Sequence, residues 1–281
     1  MMIKYRTMKP EDIGEGLKLC RKAKWNQLEA DWQVFLQHSP EACMVATFQD
    51  QIVGTVTTIR YQNSFSWIGM VLVDPDFRRQ GIGQELLQKA LQLLQSEETV
   101  KLDATPQGRE VYLKLNFVDE YQLTRMNLIA AKDPFYPTTA RAMQKEDLPL
   151  LIKFDSKIFG ADRSSLLQWM WEQAPEFAFL IEDENEIKGY SIGRHGHDFV
   201  HIGPVIAQNL SIAKDLVIAA LNKCAGRPVI LDVLNVEPEW TAWLKEIGFT
   251  EQRNFIRMFR GTNRFKGVPE NQFAIIGPEF G

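Results

Sequence analysis

The chain has 281 residues, of which 45% are hydrophobic and 24% charged, with a formal net charge of −4. That balance suits a globular protein able to bury real cores, and the length fits two domains of about 130 residues each. It excludes a disordered chain and a basic nucleic-acid binder, and no apolar run approaches the ~20 residues that cross a bilayer, so neither nucleic acid nor membrane is an expected partner.

The opening stretch MMIKYRTMKPEDIGEG lacks the apolar segment of a leader peptide. The first half then reads as strand 3–8, a helix over 11–21 with Ile13, Leu17 and Cys20 on one face, and a second helix carrying Leu28, Trp32, Phe35 and Leu36. Strands at 43–47, 52–60 and 66–73 follow, with Asp50-Gln51 and Gln62-Asn63 as the turns between them. A long helix over 81–94, strand 100–104, a short helix over 108–115 and strand 123–129 complete this half. Residues 131–139, with Pro134 and Pro137, read as a linker. The second half repeats the order: helices 148–159 and 164–171, strands 177–181, 187–194 and 200–206, helix 212–223, strand 229–233, helix 240–247 and strand 254–260. A tail over 263–281 carries an apolar run, Phe273 to Ile276, expected either to pair as an extra strand or to cover a cleft. The expected domains are therefore 1–131, 139–262 and a tail over 263–281, in the α+β (layered α/β) class.

Cys20, Cys43 and Cys224 are odd in number and lack ligand spacing, which fits small buried hydrophobes in a reducing compartment such as the cytoplasm. His195, His197 and His201 cluster without a Cys or carboxylate pattern, so a turn with partly solvated rings is expected and no metal site.

The chain contains a weak copy of itself. Arg6-Thr7-Met8-Lys9-Pro10-Glu11-Asp12-Ile13 returns 135 residues later as Arg141-Ala142-Met143-Gln144-Lys145-Glu146-Asp147-Leu148. Asn116-Phe117, followed by Arg125-Met126, returns 132 residues later as Gly248-Phe249 followed by Arg257-Met258. Two short patterns in the same order at nearly the same offset argue for tandem copies.

The chemistry concentrates at the junction between strand 66–73 and the long helix: Val71-Leu72-Val73-Asp74-Pro75-Asp76-Phe77-Arg78-Arg79-Gln80-Gly81-Ile82-Gly83-Gln84. The first N–H groups of a helix lack intrahelical partners and, with the helix dipole, attract an anion. Gly81 and Gly83 let a diphosphate approach the backbone closely, and Arg78 and Arg79 add positive charge. No third glycine and no Gly-Lys-Ser/Thr appear, which removes the dinucleotide and P-loop readings.

Residues 67–87 resemble the acyl-CoA-binding signature of the GNAT N-acetyltransferase superfamily, with Arg78, Gly81 and Gly83 at its three marked places. Tyr112 with Asn116-Phe117 resembles the family's later motif, Asn116 standing where glycine is usual and tolerating the left-handed turn. The resemblance covers about residues 3–130. The second copy keeps the layout without the cradle and has Leu244 in the place of Tyr112, so it resembles a degenerate GNAT-like domain with a cleft-forming, substrate-selecting or dimerising role.

The resemblance implies two splayed strands, 66–73 and 100–104, with acetyl-CoA between them and coenzyme A as product. Val71 and Val73 hold the pantetheine arm, an N–H near Leu72 polarises the thioester carbonyl, and Arg78, Arg79, Gln80, Gly81, Ile82, Gly83 and Gln84 hold the diphosphate. Tyr112 protonates the leaving sulfur. The acceptor is a small-molecule or peptide amine. No base is identified: Glu41, Asp74 and Asp103 are candidates, with loss of the proton through water preferred, and Asp103 is expected to tie down its loop. Trp67 and Met70 either line the acceptor pocket or pack. Arg163 and Arg194 are candidates for holding an acidic acceptor group, against surface ion pairing as the alternative. The competing functions are a non-catalytic acyl-CoA sensor and, disfavoured by acidity, an aminoacyl-tRNA-dependent transferase.

Overall fold

The computed structural model describes residues 2–61, 64–130 and 137–281; the expected turn at Gln62-Asn63 and residues 131–136 of the expected linker lie outside them. Each half begins with the repeated motif, and its geometry explains the residues it keeps. Strand β1 (Lys4–Thr7) ends in a 3-10 turn whose Asp12 accepts from the Lys9 N–H at 2.8 Å and is gripped by Arg6 at 2.6 and 2.8 Å. In the second half Asp147 accepts from the Gln144 N–H at 2.7 Å and is gripped by Arg141 at 2.8 Å through both terminal nitrogens. The aspartate satisfies a donor that the turn leaves orphaned, and the buried Met8 and Met143 fasten it to the core.

In the first half α1 (Ile13–Lys22), α2 (Glu29–His38), β2 (Met44–Phe48), β3 (Gln51–Tyr61), β4 (Phe65–Val73), α3 (Ile82–Leu93), β5 (Thr99–Ala104), α4 (Pro106–Leu113) and β6 (Val118–Leu128) follow β1. The second half runs β7 (Arg141–Ala142), α5 (Leu148–Phe159), α6 (Ser164–Gln173), β8 (Phe179–Asp183), β9 (Glu186–Arg194), β10 (Val200–Ala207), α7 (Leu210–Leu221), β11 (Val229–Leu234), α8 (Pro238–Glu246) and β12 (Thr250–Gly261), and β13 (Gln272–Ile275) ends the strand series. The helix after β4 starts one residue later than its spacing predicts because Gly81, at φ +79°, serves as its N-cap. Conversely, α7 starts two residues earlier than expected, because the Asn209 side chain accepts from the Ile212 N–H at 3.1 Å and caps it.

The described strands form one mostly antiparallel sheet in the order β1-β2-β3-β4-β5-β12-β6-β11-β13-β10-β9-β8-β7, with β4–β5 and β10–β11 the parallel pairs. The stretches 1–131, 139–262 and 263–281 therefore interleave in space. Strand β12 of the second half lies between β5 and β6 of the first, and β6 in turn pairs with β11. The halves exchange their last long strands about an approximate two-fold.

Each exchanged strand carries an arginine to an aspartate of the other half. Arg257 on β12 holds Asp103 on β5 through Nε and Nη2, both at 2.9 Å; Arg125 on β6 holds Asp232 on β11 through the same two nitrogens, both at 2.7 Å. These are the arginines of the repeated Arg-Met pairs. Met126 and Met258 are fully buried on the opposite face, as strand alternation requires.

Apolar side chains of α3 and α4 close one face of the first half, and α7 and α8 do the same in the second. A larger cluster from α1, α2, α5 and α6 spans both halves on the other face. All three cysteines are buried and free, and burial pushes each thiol up to about 12, which removes them as nucleophiles.

Candidate active site

Parallel pairing of β4 with β5 is confined to Ser66 with Val100 and Trp67 with Lys101. Beyond Trp67 the strands part. The separation coincides with an irregularity in the β3–β4 ladder, where Met70 takes φ +50° and its carbonyl accepts from Thr55 Oγ1 at 2.8 Å. A bulge re-aims a strand locally, and here it turns the backbone of Val71–Val73 along an open wall. The gap opens into one continuous cavity of about 580 Å³.

One end of that cavity is the junction read from the sequence. Asp74 caps the turn that follows β4, its carboxylate accepting from the Asp76 N–H at 3.2 Å and from Lys22 at 2.6 Å. Arg79 at φ +61° and Gly81 at φ +79° then wrap the chain so that α3 starts with its N-terminus toward the cavity. A Cβ built on Gly81 meets no protein atom within 4 Å apart from its chain neighbours, and the residue lines the cavity. Val71, Val73, Arg78, Arg79, Gly81, Ile82, Gly83 and Gln84 all line it, with Arg78 and Arg79 exposed at its mouth. The buried Leu72 and the exposed Gln80 are the two candidate positions whose side chains do not. Exposed arginines, three helix N–H groups and an uncrowded glycine fit a diphosphate.

Tyr112 faces the same cavity from α4, held edge-on to Phe117 with ring centroids 5.9 Å apart. Gly108, one turn earlier, leaves room for the ring: a Cβ there lies 3.1 Å from the tyrosine Cε2. Burial pushes the phenol up to about 12, so it carries its proton at neutral pH. The turn after α4 puts Asn116 at φ +63°, the conformation expected of it.

The other end of the cavity is built by both halves. Trp25 and Gln27 come from the loop between α1 and α2, Arg125, Arg253 and Phe255 from the exchanged strands, and Pro278 and Glu279 from the final segment. That segment is fastened by Trp67 Nε1 donating to the Pro278 carbonyl at 2.9 Å and by Tyr61 donating to the Phe280 carbonyl at 2.6 Å. Glu279 packs its backbone against Gly69, where a Cβ lies 2.7 Å from its carbonyl oxygen.

Several expected roles change here. Arg163 and Arg194 are neither surface groups nor free to meet a ligand. Arg163 is buried with Asp155 at 2.7 and 2.9 Å, and Arg194 is buried between Asp31, at 2.5 Å, and Glu279. Glu41 pairs with the exposed side of Arg60, and Asp74 is committed to its turn and to Lys22. Asp103 does line the cavity, and Arg257 occupies both of its oxygens. Met70 lines the cavity, whereas Trp67 packs beside it. His195 and His197 are partly solvated, as a turn requires, but His201 is fully buried. Arg125 was visible only as part of the repeat and Arg253 carried no local signal, because strand exchange alone brings both to this wall.

Arg194 Nη2, which can only donate, lies 3.1 Å from His201 Nδ1, so the imidazole proton sits on Nε2, 3.0 Å from Asp232. Burial keeps His201 neutral by lowering its pKa. The unfolded chain then takes up a proton first, so stability falls as pH drops through the ordinary histidine value near 6.5. Asp232 is held far below the ordinary carboxylate range by Arg125, and its contribution is lost only in stronger acid. Urea midpoints should therefore fall between pH 7.5 and 5.5, with a slope of at most about 1.4 kcal/mol per pH unit per histidine. His201→Gln, which keeps a donor and an acceptor, should flatten that slope. His38, lowered by partial burial, contributes the remainder.

The matching gap in the second half is filled by the protein itself. Strands β10 and β11 pair in parallel at Val200 with Val229 and His201 with Ile230, then part as β4 and β5 do. Strand β13 lies in the opening, antiparallel to both, with Ala274 opposite Val205 and Val233, and Ile275 opposite Asp232. The apolar run thus pairs as an extra strand, and its continuation walls the first half's cavity. Asn209 caps the helix end that would otherwise attract an anion, and Leu244 is buried.

Two family profiles cover most of the chain: one described as "Acetyltransferase (GNAT) family" matches residues 12–117, and one described as "Acetyltransferase (GNAT) domain" matches residues 151–274. The chain is 27% identical over 239 residues to the holothin acyltransferase of Pseudoalteromonas sp. (strain SANK 73390), spanning 85% of this chain and 81% of that one. A Pyrococcus horikoshii protein described as an acetyltransferase has the same fold, with a TM-score of 0.82 at 22% identity over 99% of this chain and 96% of the other. A tandem GNAT protein from the clavulanic acid biosynthesis pathway superposes with a TM-score of 0.66 at 13% identity, covering 92% and 98%.

Proposed function

Because this chain belongs to the GNAT acetyltransferase family through both of its halves, and is thereby an acyltransferase, we propose that it transfers an acetyl or related acyl group from acyl-CoA to a primary amine in one direct step. The observation that carries this reading is the single cavity joining three features: the open wall of Val71–Val73, the helix end at Gly81 and the phenol of Tyr112. Among the described residues the second half has no equivalent, since β13 fills its gap.

Acyl-CoA, when bound, supplies the activated acyl carbon as a thioester. The first N–H groups of α3, with Arg78 and Arg79, hold the diphosphate. The unpaired edge of β4 at Val71–Val73 holds the pantetheine arm as an added strand, and an N–H near Leu72 polarises the carbonyl. In the transfer a carbon–nitrogen bond forms and the carbon–sulfur bond breaks. Tyr112 gives its proton to the departing sulfur, a role its raised pKa permits because the phenol stays protonated until charge develops. Asp103 and Glu279 are each engaged by a buried arginine. The amine therefore loses its proton through water at the cavity mouth, which also restores Tyr112. A proton donor on the wall of the binding cavity favours catalysis over the alternative of an acyl-CoA sensor.

The test is calorimetric titration of acetyl-CoA followed by an amine screen that reads free-thiol release. Absence of acetyl-CoA binding overturns the reading. Tyr112→Phe should lower kcat by about 10- to 100-fold, the low end for a general acid because a thiolate leaves readily, with acetyl-CoA affinity nearly unchanged. Full turnover by that variant across the pH range removes Tyr112 from the mechanism.

A further inference from the structure

The described arginines of the central buried network are each paired with a carboxylate: Arg125 with Asp232, Arg194 with Asp31 and Glu279, Arg257 with Asp103, and Arg163 with Asp155. Arg253 is the exception on the cavity wall. It is half-buried on β12, lines the cavity, and makes no hydrogen bond or ion pair to a described residue. Its neighbour directly across the β12–β6 ladder is Arg125, a like charge. Asp232, the one carboxylate acting on it from a distance, is already engaged by Arg125 and His201. Two arginines opposite each other repel, and a desolvated guanidinium without an anion is costly. Strand alternation puts Arg253, Phe255 and Arg257 on the same face, so the charge is presented to the cavity beside an apolar ring.

On the opposite wall the charges are paired: the Glu279 carboxylate is engaged by Arg194 and the Asp103 carboxylate by Arg257. Glu279 packs against Gly69, one residue before the Met70 irregularity where β4 leaves β5. Arg253 on β12 stands across the cavity from β4, with β5 between the two strands in the sheet order.

We propose that the acceptor is an amine that also bears a carboxylate, an amino-acid-like zwitterion, with Arg253 holding the carboxylate while the amine lies toward Val71–Val73, where β4 has parted from β5. This inference rests on the acyltransferase reading of the same cavity and names its substrate class. The guanidinium fork matches a carboxylate in two parallel hydrogen bonds, and the partial burial of Arg253 strengthens the pair over one in open water. Arg253 acts on selection and not on the chemical step.

The experiment uses matched pairs: the common amino acids and their amides as acceptors with acetyl-CoA, and the corresponding N-acetyl amino acids and amides as ligands titrated into protein saturated with coenzyme A. Acetyl-CoA affinity alone is measured first and tests the cradle separately. The expected result is a preference of at least about tenfold for the carboxylate member of an accepted pair, in both kcat/KM and binding. Arg253→Gln should erase that ratio, mainly through KM, and Arg253→Lys should restore part of it. Equal use of the amide, a ratio that survives in Arg253→Gln, or failure of every carboxylate member both to bind and to be acylated overturns the proposal. If acetyl-CoA binds and only neutral amines are acylated, the transferase reading stands and this inference falls.

Discussion

Gly81→Val should reduce acetyl-CoA affinity at least about 100-fold, or about 2.7 kcal/mol. Two causes add. Gly81 sits at φ +79°, a conformation that costs an L-residue roughly 1–2 kcal/mol and a β-branched one more, so the turn into α3 is pulled out of shape. The new side chain also points where no protein atom lies within 4 Å, into the space assigned to the diphosphate. Asparagine separates the two, since it accepts left-handed backbone angles better than valine but still fills that space. Gly81→Asn should therefore fold normally and bind weakly. Calorimetry on both variants, with thermal melts as the folding control, decides the matter. Affinity within about threefold of the parent for the valine variant would remove the helix end from the binding site.

Arg257→Ala should destabilise the fold by about 3–5 kcal/mol, because it leaves the Asp103 carboxylate buried without its partner. Burial already pushes the Asp103 carboxyl up against the pull of Arg257, so the remaining group would protonate in place of staying charged. Replacing both members together, as Asp103→Leu with Arg257→Met, should recover most of the loss, since no unpaired charge remains. The pseudo-symmetric Arg125→Ala should cost less, because Asp232 keeps His201 at 3.0 Å. Urea denaturation of the four proteins reads these differences. If Arg257→Ala melts like the parent, the exchanged strands are held by packing alone, and the two Asp–Arg pairs are incidental. The same series addresses Asp103 as a candidate base. Loss of stability accompanied by an unchanged pH profile of acylation marks it as a residue that joins strands.

Much of this was legible along the chain. The strands and helices of both halves follow from apolar spacing, and the turn at Gly81 from residue types that only a left-handed, anion-facing loop favours together. The repeated Arg and Asp of the opening motif proved to be a local device, the aspartate closing a turn three residues away in both copies. Asn116 at φ +63° was likewise readable from one residue's tolerance of a left-handed backbone.

What stayed illegible depends on partners in other elements, most of them far along the chain. Arg125 and Arg257 were visible as parts of a repeat, but nothing near either names an aspartate in the other half, and the exchange of β6 and β12 decides that pairing. Arg163 and Arg194 looked available for a ligand because their counter-ions, Asp155, Asp31 and Glu279, come from other elements. The segment that fills the second half's gap reads as a short apolar run, and its function follows only from the unpaired edges of β10 and β11 that it completes. Sequence by itself determined the local conformations, the tandem order and the helix end at Gly81, since each rests on interactions within a few residues. Tertiary structure decided which gap stays open, which charges are neutralised and which arginine is left facing the cavity. Backbone edges and buried charges must find complements wherever the fold supplies them, and those complements have no fixed distance along the chain.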